Sequence, residues 1–202
     1  MNWIRELQAI SQTGLHYAVT DYDRERYKQI ERIAAEMLSE SSNLTVDEIL
    51  KFNKAEFGYA TPKVDTRGAI FRDEKILLVR EIADEGRWTL PGGYADINEA
   101  PSVAVAREVR EESGFSVDVK KLLAVYDRDT QGHKPAHPYT IYKLFFLCEI
   151  TGGAAKLNNE ISGIDFFDEH NLPELSTARV TEKQIHRMFE HFRNPNLPSD
   201  FD

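Results

Sequence analysis

The sequence predicts an α/β (α+β) sandwich around a mixed sheet, preceded by a small all-α N-terminal domain. Three observations predict it. Residues 1–60 carry apolar side chains at helical spacing, and after Thr61-Pro62 the pattern changes to short apolar runs of strand type. Helical stretches then stand between and after those runs, the pattern of a layered α and β architecture. The expected division is a helical domain over 1–60 and a second domain over 61–202.

The first helix is expected to begin at Asn2, with Ile4, Leu7 and Ile10 on one side, and to stop near Thr13-Gly14. The second should run from Asp21 to Ser39, with Tyr27, Ile30, Ile33, Ala34, Met37 and Leu38 as its apolar stripe. Thr45 with Glu48 reads as a capping box opening a third helix with Val46, Ile49, Leu50 and Phe57, and Gly58 as its stop. This segment has seven Lys/Arg against ten Asp/Glu. Helices that grip DNA phosphates need the opposite balance, so a role in packing, dimerisation or substrate enclosure is expected instead.

Beyond Pro62, Val64–Phe71 and Lys75–Arg80 read as a hairpin turning at Asp73-Glu74. Leu90-Pro91-Gly92-Gly93 breaks regular structure. Residues 100–113 read as a helix, with Pro101 in its first turn and Gly114 at its end. Strands are expected at Val117–Val125, Tyr139–Ile150 and Gly163–Phe167. Thr181 with Gln184 should cap a last helix reaching Arg193.

The chain has 202 residues, a net charge of −9 and 41% apolar residues, which suits a globular core and disfavours wholesale disorder. An acidic chain does not attract nucleic acid by bulk electrostatics, so any phosphate it handles must be held locally. No strictly apolar run is longer than that of Leu144–Cys148, far short of the roughly 20 residues a spanning helix needs. The first residues show no secretory pattern, and a lone Cys148 cannot form an internal disulfide, so a cytoplasmic protein is expected.

The segment that carries chemistry is Gly93–Phe115, GYADINEAPSVAVAREVREESGF. On a helix, Glu108, Glu111 and Glu112 fall at i, i+3 and i+4 and share one face. Val103, Ala106 and Val109 point to the other side, with Val105 at the border. Like charges this close repel, and either a proton or a divalent cation relieves them. Oxygen donors without a nearby Cys or paired His favour Mg²⁺ or Mn²⁺. A solvated acidic face is the bland alternative. Glu99, Arg107 and the Gly92-Gly93 pair at fixed distances speak against it.

This stretch resembles the Nudix box: G, five residues, E, seven residues, then R-E-U-x-E-E-x-G-U, where U is apolar. Gly93, Glu99, Arg107, Glu108, Val109, Glu111, Glu112, Gly114 and Phe115 match every specified position. The flanks around Trp88–Gly92, Phe166-Phe167-Asp168 and Leu172-Pro173 are similar to the same family, so the resemblance covers residues 62–195. It implies an α/β/α sandwich that hydrolyses a nucleoside diphosphate linked to another moiety with Mg²⁺ or Mn²⁺. It implies Glu108 and Glu112 as metal ligands, Glu111 as a ligand or a partner of metal-bound water, and Gly92 as a carbonyl donor. Gly93, Glu99, Arg107 and Gly114 would be structural. Glu160, in the loop before a late strand, is the candidate general base, with an exposed loop acid as its alternative.

The helical leader followed by TPKVDTRGAIFRDEKILLVRE is similar to a bacterial subgroup described as ADP-ribose pyrophosphatase-like, and within it to CDP-choline pyrophosphatases releasing CMP and phosphocholine. A proline about 15 residues past the box, usual for ADP-ribose hydrolysis, is replaced by Asp129–Gly132. Arg67 and Arg80 are candidate phosphate partners, or else they pair with acids such as Asp65 or Glu81. Tyr94, Tyr126 and Tyr139 are candidates for an aromatic cage around a quaternary ammonium. His133 and His137 read as loop residues and Cys148 as inert core. The complete box disfavours a non-catalytic nucleotide sensor. A homodimer is expected, since 60 helical residues are too few to be stable alone.

Overall fold

The computed structural model describes residues 2–55 and 60–202; the expected contacts of Phe57 and the stop at Gly58 lie outside these. The chain forms two compact units. One comprises residues 1–62 with the loop 134–140, the other residues 63–133 and 141–202.

The helical unit contains α1 (Asn2–Tyr17), α2 (Asp21–Ser39) and α3 (Val46–Ala55). Ile4, Ala34, Ala35, Leu38 and Ile49 form its core. Glu48 accepts from the Thr45 amide at 2.8 Å, and the Thr45 hydroxyl accepts from the Glu48 amide, as a capping box requires. Two expectations fail here. α1 does not stop at Gly14 but runs on to Tyr17. A Cβ at Gly14 would come within 2.3 Å of the Tyr27 ring, so the glycine serves close helix packing rather than termination. Ile10, Ile33 and Met37, expected in the apolar stripes, are exposed. The small Ala34 and Ala35 are buried instead and let the helices approach.

The second unit contains β1 (Lys63–Arg72), β2 (Lys75–Glu81), β3 (Trp88–Thr89), α4 (Pro101–Ser113), β4 (Phe115–Asp127), β5 (Ile141–Gly153), β6 (Ile161–Phe167), α5 (Glu182–Arg193) and β7 (Asp200–Phe201). Among the described residues the strands form one mixed sheet of order β3-β2-β1-β5-β4-β7, with β6 on β2. β1 pairs with β5 in parallel and with β2 in antiparallel fashion. Period-2 alternation sends neighbouring side chains to opposite faces. Ile70, Leu77 and Phe146 pack with Val105 and Val109 of α4. Ala69, Ile76, Leu78 and Phe145 pack with Ile185, Met188 and Phe189 of α5. Covering both faces explains the unbroken run Ile76–Val79 and makes the unit an α/β/α sandwich.

Candidate active site

α4 places the carboxylates. It opens at Pro101 and ends at Gly114, whose φ of 79° closes the last turn. Its packing face is Ala104, Val105 and Val109, while Val103, expected inward, is exposed. The remaining arc carries Glu108, Glu111 and Glu112. Gly68 of β1 lets the helix settle on the sheet: a Cβ there would meet Val109 at 2.8 Å.

Arg107 organises the outer half of this face. Its guanidinium holds Glu99 through two bonds of 2.9 Å and reaches Glu108 at 2.8 Å and Glu111 at 3.1 Å. Glu99 in turn accepts from the Asp96 amide at 3.2 Å, tying the approach loop to the helix. Glu108 is largely covered, with 15% of its side chain accessible, whereas Glu111 keeps 60% and leans into solvent.

The inner half belongs to the Leu90–Ala95 segment, which runs beside β1. The Gly68 amide donates to Pro91 O at 2.9 Å, Thr66 to Gly93 O at 2.7 Å, and Ala95 to Val64 O at 3.0 Å. Gly92 adopts φ +147° with the position of a Cβ only 2.0 Å from Thr66 O, so no side chain is accommodated there. Its amide donates to Glu112 Oε2 at 2.8 Å. A Cβ on Gly93 would stand 2.9 Å from the Glu108 carboxyl. The two glycines thus bring backbone directly against the two covered glutamates.

Electrostatics mark the same place. Burial pushes the Glu112 carboxyl up to about 8, opposed by the Arg67 charge and the Gly92 amide and reinforced by Glu81 and Glu108. Burial also raises Glu108 and Glu81, against the pull of Arg107 and Arg179 respectively. Several carboxylates therefore stand in low dielectric with too little positive charge among them. Among the described residues no three His, Cys, Asp or Glu side chains already stand in a metal-holding geometry. The donor chemistry nonetheless fits a hard divalent cation: carboxylate oxygens, an adjacent glycine backbone and excess negative charge.

The other expected residues fall as follows. Glu160 directly precedes β6, and its loop is tied to the end of α4: Asn158 Nδ2 donates to Glu111 O at 2.7 Å, and Asn158 Oδ1 accepts from the Glu160 amide at 2.8 Å. Arg80 is exposed and donates to Ser162 Oγ at 3.0 Å and Ser162 O at 3.2 Å, so it holds the start of β6, just after Glu160. Arg67 is buried and bound to Asp65, the pairing alternative, although the acid is internal rather than on the surface. Tyr139 groups with the helical unit, its hydroxyl donating to Phe52 O at 3.3 Å. The Tyr126 hydroxyl donates to Asp200 of β7, and Tyr94 bridges to Asp65 of β1. His133, read as a loop residue, is a buried and fully bonded one. Cys148 is buried, and burial pushes its thiol up to about 12, as suits inert core.

Sequence reasoning missed Lys143 and the inward position of Glu81. Lys143 is 1% exposed and donates to Asp65 Oδ1 at 2.7 Å. A signal existed: Ile141, Lys143 and Phe145 share one strand face, so a lysine between two apolar residues marks an internal charge.

Comparison with known proteins identifies the family to which this fold belongs. Residues 1–52 match the family described as a UDP-X-like, N-terminal oligomerisation domain, and residues 62–189 match the NUDIX domain. A Bacillus subtilis protein named "Putative ADP-ribose pyrophosphatase YjhB" is 40% identical over 198 residues, covering 98% of this chain and 94% of its own. A crystal structure described as UDP-X diphosphatase is 33% identical, covers 100% of this chain and 97% of its own, and superposes with a TM-score of 0.64. An ADP-ribose pyrophosphatase structure from Streptococcus suis is 36% identical over 70% of this chain and 100% of its own, also with a TM-score of 0.64. With its box intact from Gly93 to Phe115 and its fold shared over nearly the full length of such relatives, the chain belongs to the Nudix family and is a Nudix hydrolase acting on pyrophosphate bonds.

Proposed function

We propose that this hydrolase cleaves the diphosphate of a nucleoside diphosphate linked to a small second moiety, with CDP-choline as substrate and CMP and phosphocholine as products. The observation that carries the hydrolytic reading is the juxtaposition of Glu112, gripped by the Gly92 amide, with Glu108 on the covered face of α4. Glu108, Glu111, Glu112 and the Gly92 carbonyl would hold Mg²⁺ or Mn²⁺, which would supply charge neutralisation and polarisation of the phosphoryl oxygens. The chain's own groups do the rest. Glu99 and Arg107 lock the approach loop to the helix, so the carboxylates meet the diphosphate in a fixed arrangement. Glu160, on the loop tied to Glu111, takes the proton of the attacking water.

ADP-ribose is the second reading. The Bacillus subtilis and Streptococcus suis relatives carry that name, and the full-length structural relative is named for UDP-linked substrates. A panel of CDP-choline, ADP-ribose, a UDP-sugar, NADH and nucleoside triphosphates, each with Mg²⁺ and with Mn²⁺, tests the assignment. The highest kcat/KM is expected for CDP-choline. A higher value for ADP-ribose or the UDP-sugar moves the assignment to that compound, and no hydrolysis of any diphosphate-linked nucleoside overturns it.

We also propose a homodimer formed through the helical unit. Trp3, Ile10 and Tyr17 recur every seven residues along α1 and are exposed, as are Tyr22, Ile33 and Met37 along one side of α2. Monomeric surfaces rarely leave so many large apolar groups together, and the family matched by this segment is described as an oligomerisation domain. None of the described helices is long and apolar enough to cross a membrane.

A further inference from the structure

We propose that Arg67 is a positioning residue of the hydrolytic site: anchored by Asp65, it holds the Leu90 carbonyl and thereby the backbone turn from which Gly92 grips Glu112. The inference rests on the reading of Glu112 as a metal carboxylate.

The anchor is a buried charge triad. Asp65, Arg67 and Lys143 are 6%, 3% and 1% exposed. Asp65 of β1 stands opposite Lys143 of β5 in the parallel register, and Arg67 lies two residues further along the same face of β1. Arg67 Nε and Nη2 fork onto the two Asp65 oxygens at 2.8 and 2.7 Å, and Lys143 Nζ donates to Oδ1 at 2.7 Å. The two cations hold the Asp65 carboxyl well below the usual range despite its burial. Replacing buried ion pairs by apolar groups is often neutral or stabilising, so stability alone is a weak reason for charges here.

The third nitrogen of the guanidinium shows what the triad does. Arg67 Nη1 donates to Leu90 O at 3.1 Å. Leu90 is the last residue before the Pro91-Gly92-Gly93 turn. The flanking carbonyls of that turn are taken by β1 amides, Pro91 O by Gly68 and Gly93 O by Thr66. With Leu90, Pro91 and Gly93 all pinned, the Gly92 amide is left facing α4, where it meets Glu112 Oε2. Only a planar fork can span a carboxylate and a carbonyl in this way. A lysine ammonium cannot engage both Asp65 oxygens edge-on and reach Leu90 as well. A guanidinium so buried and bonded through all three nitrogens is poorly placed to take a phosphate from solvent.

The test uses the full chain and Mn²⁺ alone, with free Mn²⁺ read by electron paramagnetic resonance. Circular dichroism checks the fold, and kcat and KM are measured separately. Arg67→Lys keeps the charge and loses the fork. It is expected to bind Mn²⁺ about tenfold more weakly and to lose a similar factor in kcat, as groups supporting metal ligands do, with KM nearly unchanged. Hydrogen exchange should quicken in the peptide covering Leu90–Gly93. Asp65→Asn, which keeps the shape of the anchor, should move the same readouts in the same direction, and it carries the test if Arg67→Lys does not fold. Unchanged Mn²⁺ affinity with a raised KM makes Arg67 a substrate-phosphate ligand and overturns the proposal. Unchanged affinity and kinetics with only a lower melting temperature make it a plain core ion pair and overturn it equally. Glu112→Gln separates the two levels: if it leaves Mn²⁺ affinity intact, the metal reading itself fails, whatever Arg67 does.

Discussion

His133 Nδ1 lies 3.0 Å from Thr177 O, which can only accept, so this nitrogen carries the proton. Nε2 then accepts from the Gln184 amide at 3.1 Å. Burial first, then the charges of Lys143 and Arg128, pull this imidazole down to about 3. The unfolded chain binds the proton near pH 6.5 and the folded chain does not, so stability falls as pH drops below that value. Between pH 7 and pH 5 this single group should remove about 2 kcal/mol. Urea unfolding at the two pH values checks it: His133→Gln should show a visibly flatter pH dependence than wild type, and equal slopes contradict the assignment. Glu160 presents a different question, since only its position argues for it. Glu160→Gln should lower kcat by about 10²-fold at saturating metal and substrate, within the range for a general base. A kcat near the wild-type value removes it from the mechanism. The residue pattern made both of these positions visible but left their surroundings open. A histidine beside a glycine and a lysine reads as loop, and only the packing of α5 encloses it.

Among the elements, α1 and α4 show how far periodicity reaches. In α4 the carboxylate face was legible, because i, i+3 and i+4 spacing holds wherever a helix forms. The packing face was less so: Val103 and Val105 differ by two positions, and contact with the sheet selects Val105. In α1 the glycine misleads, since Gly ends helices more often than it crosses them. Tyr27 of α2 occupies the space a side chain would need. Gly14→Ala would raise local helix propensity by about 1 kcal/mol. The clash with the ring is nevertheless expected to dominate, with net destabilisation of about 1–3 kcal/mol as for overpacked cores. Thermal unfolding measures the sign directly, and a higher melting temperature would mean the contact is loose.

At the scale of the whole molecule, the exposed stripes of α1 and α2 predict association. Wild type should elute with light scattering as a dimer of the 23.2 kDa chain, and Ile10→Asp with Ile33→Asp should yield a monomer with the helical signal retained. A wild-type monomer contradicts the assembly. The class of fold and the acidic face of α4 were already legible in the order of residues, because both follow from local periodicity, capping and spacing. It took packing to show that loop 134–140 groups with the helices, that Arg67 and Lys143 turn inward on Asp65, and that Glu112 meets Gly92. Those outcomes depend on which strands lie side by side. Paired residues of β1 and β5 are 78 apart in the chain, and their parallel register is what puts Lys143 opposite Asp65. Charge pairs made across such a separation leave no periodic trace, so the pattern of residues announces a site while packing assigns the partners within it.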